Sequence, residues 1–226
     1  MIVPDLLKTR IGQGVLVTAA LLSLTLSAHA QITVTVERNV GADATKSFKF
    51  KNFRPLKDDA ANKATLTLLS GEVGSDLTVL TDGLLPEKDD DPKANFSFAD
   101  GSSGGRFRID LGEVIEIKQI NSYSWHSGAR ASQVYRLYGS DGAEQDFCAE
   151  PRGGLNPANC GWKVITMVDT RRNGGDGGGQ YVAGISEARG SLGKYRYLLF
   201  DCWAAENDDD FGNTFYSEID VIAKKQ

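Results

Sequence analysis

A period of two in the hydrophobic residues is the feature that most constrains how this chain folds. From Arg106 to Leu111, apolar side chains alternate with charged ones, as in a strand with one buried and one solvated face. Two further β-rich segments follow at 114–125 and 133–138, and turn residues end the second of them. About ten short segments of this kind occur along the chain with almost no helical period, so the sequence predicts an all-β antiparallel jelly-roll sandwich.

The first thirty residues have the features of an export signal. Lys8 and Arg10 give a charged start, residues 15–26 form an apolar run, and Ala28-His29-Ala30 is a small-x-small cleavage site. The apolar run is shorter than the roughly 20 residues that cross a bilayer, and no later segment is longer, so we expect no membrane insertion. We therefore expect cleavage after Ala30 and a secreted or periplasmic protein.

The charge balance and the cysteines narrow the function classes further. With 25 basic and 30 acidic residues the chain carries a net charge of −5, which argues against nucleic acid as a partner because nucleic acids favour a basic face. Cys148 and Cys160 bracket a loop rich in Pro, Gly and Asn. In an oxidising compartment a disulfide between them would stabilise the fold by roughly 3 kcal/mol. Cys202 follows an apolar run, which predicts a buried, unreactive thiol.

Four segments together resemble a known family: IDLGEVIEIKQI, VYRLYGSDG, GKYRYLLFD and TFYSEIDV. They are similar to the discoidin, or coagulation-factor C-type, domain of the galactose-binding-like superfamily, over about Leu77 to Val221. The resemblance implies a jelly roll of about eight core strands whose loops at one end bind a ligand, commonly a glycan. We accordingly expect an N-terminal extension at 31–76, packed on a main domain at 77–226.

The resemblance also implies which residues form a sugar site. In a sugar-binding relative, a His and an Arg from the loop after SYSW hydrogen-bond ring hydroxyls, an Asn before the last strand joins them, and an aromatic ring stacks on the sugar. The matching residues here are His126, Arg130, Asn213 and Phe211, with Trp125 as a further platform. His126 is the one histidine after residue 30, which excludes a multi-histidine zinc site.

A structural role for these residues is the alternative. Trp125 would then belong to the core, and Arg130 would pair with Asp110 or with a backbone carbonyl to hold its own loop. Trp203 is a weaker candidate for stacking on a ligand, because it continues a strand that we expect to be buried.

A structural calcium ion is the second site that the resemblance implies. In many members an Asp in the loop after the first strand and a Glu in the last strand hold Ca²⁺ together with backbone carbonyls, and Asp82 and Glu218 occupy these places. Calcium takes about six to eight oxygen ligands, which an acidic loop supplies. The alternative is that Asp82 is a turn residue that caps its own backbone before Gly83.

No segment carries a catalytic motif in the context that it needs. GSSGG at 101–105 fits the nucleophile-elbow pattern, but it lies between two predicted strands, whereas the elbow needs a strand-to-helix turn. Glu218-Ile219-Asp220 matches the first two carboxylates of a glycosidase signature, but Ala223 stands where the third belongs. We therefore predict a non-catalytic module that binds a glycan or a cell-surface polysaccharide. The alternative is a structural or adhesive exported protein that binds another protein. The sequence indicates no oligomeric state.

Overall fold

The computed structural model describes residues 31–40, 49–99, 101–172, 178–205 and 213–225, so the predicted signal peptide lies outside the described residues. Within these ranges the regular secondary structure consists of antiparallel strands and a few short 3₁₀ turns, and the prediction of an all-β antiparallel sandwich is confirmed. The strands are β1 Ile32–Val40, β2 Thr65–Ser70, β3 Phe96–Phe98, β4 Gly104–His126, β5 Val134–Ser140, β6 Lys163–Asp169, β7 Gly179–Glu187, β8 Gly193–Trp203, β9 Asn213–Tyr216 and β10 Glu218–Ala223. Short 3₁₀ turns lie at Leu77–Thr81, Ala129–Ala131 and Pro157–Asn159.

Strand β4 belongs to both layers of the sandwich. Its first part, 104–110, pairs with β2 and β8, and its later part, 117–126, pairs with β10 and β7. The pairing with β8 is interrupted between Asp110 and Ile115, around Gly112, whose φ of +84° suits a glycine. One layer is therefore β2-β4-β8-β5-β6 and the other is β10-β4-β7-β1, while β3 and β9 pair separately.

A single apolar core fills the space between these two layers. The first layer, β2-β4-β8-β5-β6, contributes Phe107 and Phe200 to this core, and the two rings stack with their centroids 4.9 Å apart. Ile120, Ile185 and Val221 contribute from the second layer and are fully buried. Side chains that alternate across each strand thus supply the common core, as the period of two predicts.

Strand β7 is not predicted from the sequence, although it lies in the second layer between β1 and β4. Nearly every residue of Gly179–Glu187 is buried, so both faces are covered and the alternation that marks other strands is absent. Gly184 of this strand lies under the ring of Phe53, where a Cβ atom would come within 2.0 Å of the ring. The N-terminal segment therefore covers the outer face of the second layer.

Candidate functional site

The predicted His126 lies at the end of β4 and is built into its own loop. Its Nδ1 accepts a hydrogen bond from the Gly128 amide at 2.8 Å, and its ring lies 4.6 Å from that of Phe215. The Nε2 atom is 3.7 Å from a carboxylate oxygen of Asp90, and only 7% of the residue is exposed. Burial lowers the pKa of His126, so the imidazole is neutral at pH 7 and helps to hold the loop in place.

Arg130 lies beside His126, in the 3₁₀ turn of the loop between β4 and β5. Its positive charge further lowers the pKa of His126. Arg130 as a whole is partly exposed, whereas its Nε atom is buried. In the structural alternative, Arg130 pairs with Asp110 or with a backbone carbonyl. The pairing with Asp110 is wrong, because Asp110 accepts hydrogen bonds from Arg196 at 2.8 and 3.1 Å. The structure thus brings the predicted His and Arg together at one end of the sandwich.

A buried polar network fixes the base of this β4–β5 loop. The Gln133 side chain donates to the Ser122 carbonyl at 3.1 Å and to the Ser124 hydroxyl at 3.0 Å. Its backbone amide donates to the Thr170 hydroxyl at 2.8 Å, and the Ser124 hydroxyl donates to the Ala131 carbonyl. Because these partners are buried, the loop that carries Arg130 is held rigidly without contributions from solvent.

The other predicted sugar contacts have mixed outcomes. Asn213 opens β9, where it is paired with Phe98, and β9 also contacts β4 and the 3₁₀ turn of Arg130. Phe211 lies outside the described residues. Trp125 is 5% exposed and packs with Phe53, as the core alternative expects.

The predicted calcium ligands Asp82 and Glu218 are neighbours in the structure. Glu218 opens β10 and is fully buried, and its carboxylate accepts a hydrogen bond from the Gly83 amide at 3.1 Å. Asp82 is exposed and also accepts a hydrogen bond from the Leu84 amide at 2.8 Å, which is the turn geometry of the alternative.

Two further carboxylates, Asp59 and Asp220, complete what we call the carboxylate centre. Asp59, Glu218 and Asp220 each offer an oxygen within 4.8 Å of the others. Asp220 accepts hydrogen bonds from the Tyr123 hydroxyl at 2.9 Å and from Asn121 at 3.2 Å. Asp59 uses one oxygen to accept from the Val221 amide at 2.9 Å, and its other oxygen is buried with no hydrogen-bond partner among the described residues.

Burial and mutual repulsion perturb the carboxylate centre. Burial, with the nearby charges of Asp220 and Asp82, raises the pKa of Glu218 to about 10, and burial raises the pKa of Asp220 to about 6. No ion pair to the centre is formed by any lysine or arginine in the described part of the chain. A set of hard oxygen donors with uncompensated negative charge is suited to a divalent cation, so these residues could hold a metal ion.

Asp220 could have been found from the sequence, because residues at i and i+2 of a strand project on the same side. In the sequence alone, Glu218 and Asp220 match only an incomplete glycosidase signature. Asp59 gave no such signal, since it reaches the centre from a distant turn in the N-terminal segment.

The cysteines are free thiols in the structure, so the predicted disulfide is not formed there. Cys148 and Cys160 are nevertheless neighbours, because the Cys148 amide donates to the Cys160 carbonyl at 3.2 Å. Burial and the adjacent Cys148 thiol raise the pKa of Cys160. Cys202 is buried and its pKa is raised by burial, which agrees with the expected unreactive thiol.

Comparison with known proteins gave matches only among solved structures, since no family model and no curated protein matches the chain. The lectin domain of lectinolysin, solved with Lewis B antigen, has a TM-score of 0.48 and 12% identity over 75% of this chain and 99% of its own. Chitosan-binding module 1 of a Paenibacillus sp. IK-5 chitosanase/glucanase has a TM-score of 0.45 and 14% identity over 74% and 99%.

A glycoside hydrolase chain, SpGH29, matches with a TM-score of 0.42 and 13% identity over 75% of this chain, which spans only 29% of that protein. None of the described helical segments has the length and hydrophobicity of a membrane-spanning helix. The matched structures thus include carbohydrate-binding modules and a lectin domain.

Proposed function

We propose that this chain is a secreted, non-catalytic carbohydrate-binding module whose sugar site includes the β4–β5 loop. The observation that supports this most is the position of Arg130. Arg130, a partly exposed residue next to the neutral imidazole of His126, stands on a loop that buried hydrogen bonds hold rigid. Rigid donors of this kind select pairs of sugar hydroxyls at low entropic cost. Asn213 and Phe211 are the further sugar contacts that the family resemblance implies.

A glycan array probed with the wild-type protein tests this proposal. We expect weak binding to a subset of neutral glycans, strengthened when the module is presented in several copies. Arg130→Ala should abolish the signal, and Arg130→Lys should reduce it, since an ammonium group cannot reproduce the planar fork. Arg189→Ala is the control, because this arginine lies in the turn after β7, at the end of the molecule opposite His126. Unchanged binding by Arg130→Ala would refute the site.

A structural Ca²⁺ at the carboxylate centre and a Cys148–Cys160 disulfide are the other parts of the proposal. Glu218, Asp220, Asp59 and Asp82 would hold the ion, which would supply charge neutralisation and no catalytic step. The disulfide is supported by the pairing of the two cysteine backbones and by the expected export of the chain.

The alternative function, protein binding, is favoured by strand β6. This strand is at the edge of its layer and leaves Val164 53% and Met167 44% exposed. Exposed apolar residues on an unpaired edge suit contact with another chain. A protein-binding role would be indicated if Met167→Lys reduced adhesion to host or partner cells while Arg130→Ala left it unchanged.

A further inference from the structure

We propose that a cleft beside Trp203 is a second sugar subsite, which binds a neutral pyranose ring; this inference rests on the proposed carbohydrate-binding function. The cleft has a volume of about 610 Å³ and opens on the outer face of the first layer. The turn after β2, the hairpin before β4 and the end of β8 form its walls. Its volume is in the range of small-ligand sites.

Trp203 is the natural stacking surface in this cleft. Of the three tryptophans, Trp125 is 5% and Trp162 is 2% exposed, whereas Trp203 is 37% exposed and lines the cleft. The Arg136 guanidinium lies 5.8 Å from the centroid of the Trp203 ring, which steadies the indole by a cation–π contact. The expectation that Trp203 is buried because it continues an apolar strand is therefore wrong. A flat, exposed indole is suited to the C–H face of a sugar.

The polar groups of the cleft lie beside this ring. Asp201 is two residues before Trp203 in β8, so both side chains project from the same face of the strand. Arg106 of β4 and Arg136 of β5 are its direct neighbours across the sheet. Arg106 binds Asp201 through two hydrogen bonds of 3.0 Å each, and it also donates to the carbonyls of Pro151 and Leu155 at 2.8 and 2.9 Å.

The Arg106–Asp201 pair is therefore fixed before any ligand arrives. The two side chains are 11% and 18% exposed, so a bound molecule can still reach them. A carboxylate whose oxygens each accept from Arg106 keeps lone pairs free for sugar hydroxyls. Because the charges of Arg106 and Arg136 are offset by Asp201 and by Glu72 at the cleft wall, the cleft favours an uncharged ligand over an acidic one.

Close contacts between backbones make the walls of the cleft rigid. A Cβ atom on Gly104 would lie 2.3 Å from the Cys202 carbonyl oxygen, and one on Gly105 would lie 2.4 Å from the Ser70 carbonyl oxygen. A Cβ atom on Gly71 would approach the Gly104 carbonyl oxygen to 2.7 Å. Only glycine permits these three chain segments to pack so closely, and a preformed cleft reduces the entropy lost on binding.

Intrinsic fluorescence tests the Trp203 cleft, because Trp203 is the tryptophan most open to a soluble quencher. The probes are maltotriose, cellotriose, galactobiose and N-acetylchitotriose, titrated into the full chain with iodide as the quencher. We expect at least one of them to protect Trp203 of the wild-type protein from quenching. Isothermal titration calorimetry, which needs no tryptophan reporter, should show that this probe binds at least tenfold more weakly to Trp203→Ala. Trp203→Phe should retain part of the affinity, and circular dichroism verifies that each variant is folded.

Comparison with Arg130→Ala separates this inference from the proposed function. If calorimetry shows that Arg130→Ala keeps the affinity for the probe while Trp203→Ala loses it, the cleft is a subsite that acts independently of the β4–β5 loop. If binding is lost in Arg130→Ala and unchanged in Trp203→Ala, the cleft inference is overturned and the loop site stands. If the wild-type protein binds none of the probes and no glycan on the array, both proposals are overturned.

Discussion

Removal of calcium tests the carboxylate centre. Asp59, Glu218 and Asp220 place oxygens within 4.8 Å of one another, and two unit charges at this distance repel by roughly 3 kcal/mol at an effective dielectric constant of about 20. With no cationic partner among the described residues, this repulsion opposes folding or forces protonation of Glu218. A bound Ca²⁺ ion would convert the repulsion into attraction, so the native state should depend on the ion.

The size of the effect follows from mass action. Calcium at 100 times its Kd stabilises the native state by about 2.7 kcal/mol, and each kcal/mol raises the Tm of a chain of this size by about 2–4 °C. Calorimetry should therefore show a Tm about 5–11 °C higher in CaCl₂ than in EGTA. Magnesium chloride at equal concentration is the control for ionic strength, and it should shift the Tm much less, because Mg²⁺ is reluctant to lose its water ligands.

A matched pair of variants connects the shift to this centre. Glu218→Gln preserves the side-chain shape, and it should remove most of the calcium-dependent shift while leaving the protein at least as stable as wild type in EGTA. Glu116→Gln removes a partly exposed carboxylate that pairs with Lys224 and is not part of the centre, and it should keep the full shift. An equal Tm in CaCl₂ and EGTA, or an undiminished shift in Glu218→Gln, would show that the centre binds no calcium.

Three further predictions concern stability. Burial raises the pKa of Asp110, but hydrogen bonds from Arg196 and Gly112 together lower it below its ordinary value. The charged pair with Arg196 therefore stabilises the protein at pH values above the ordinary aspartate pKa, and this contribution is lost as the pH falls through the lowered pKa. Urea denaturation should show Asp110→Asn less stable by about 1 kcal/mol at pH 7, and this difference should vanish as the pH falls below about 4; a difference that persists at pH 2 would contradict the assignment. Phe53→Ala should lower the free energy of unfolding, also measured in urea, by about 3 kcal/mol, because it opens a gap above Gly184. A decrease of less than about 1 kcal/mol would mean that the N-terminal segment is not packed on this face. In the secreted protein, mass spectrometry after alkylation without reduction should find Cys148 and Cys160 unmodified, and labelling of both would refute their disulfide.

Most of the fold could be predicted because most of its strands have one solvent-exposed face and one buried face. The alternation at Arg106–Leu111 and the turns around it suffice to indicate a sandwich, and the structure confirms it. The same reasoning fails for β7, because a strand buried on both faces shows no alternation. It also does not reveal that β4 continues from one layer to the other, since Gly112 looks like the end of a strand in the sequence.

The candidate sites depend more on tertiary structure. The pairing of Asp82 with Glu218 could be anticipated only through the family resemblance, and Asp59 joins them from a remote turn. The exposure of Trp203 could not be predicted from the sequence, because an apolar strand predicts burial along its whole length. A strand can nevertheless leave its final residue exposed where the neighbouring chain segments diverge, and only the packed structure shows this.

The position of β2 and Asp59 has a practical consequence for recombinant work. A truncated protein that begins at residue 77 would lack both, and the first part of β4 would lose its neighbour and become an open edge. An unpaired edge with buried side chains such as Phe107 and Ile109 behind it recruits other chains, so such a fragment should aggregate on expression. Expression vectors for this module should therefore start no later than β1.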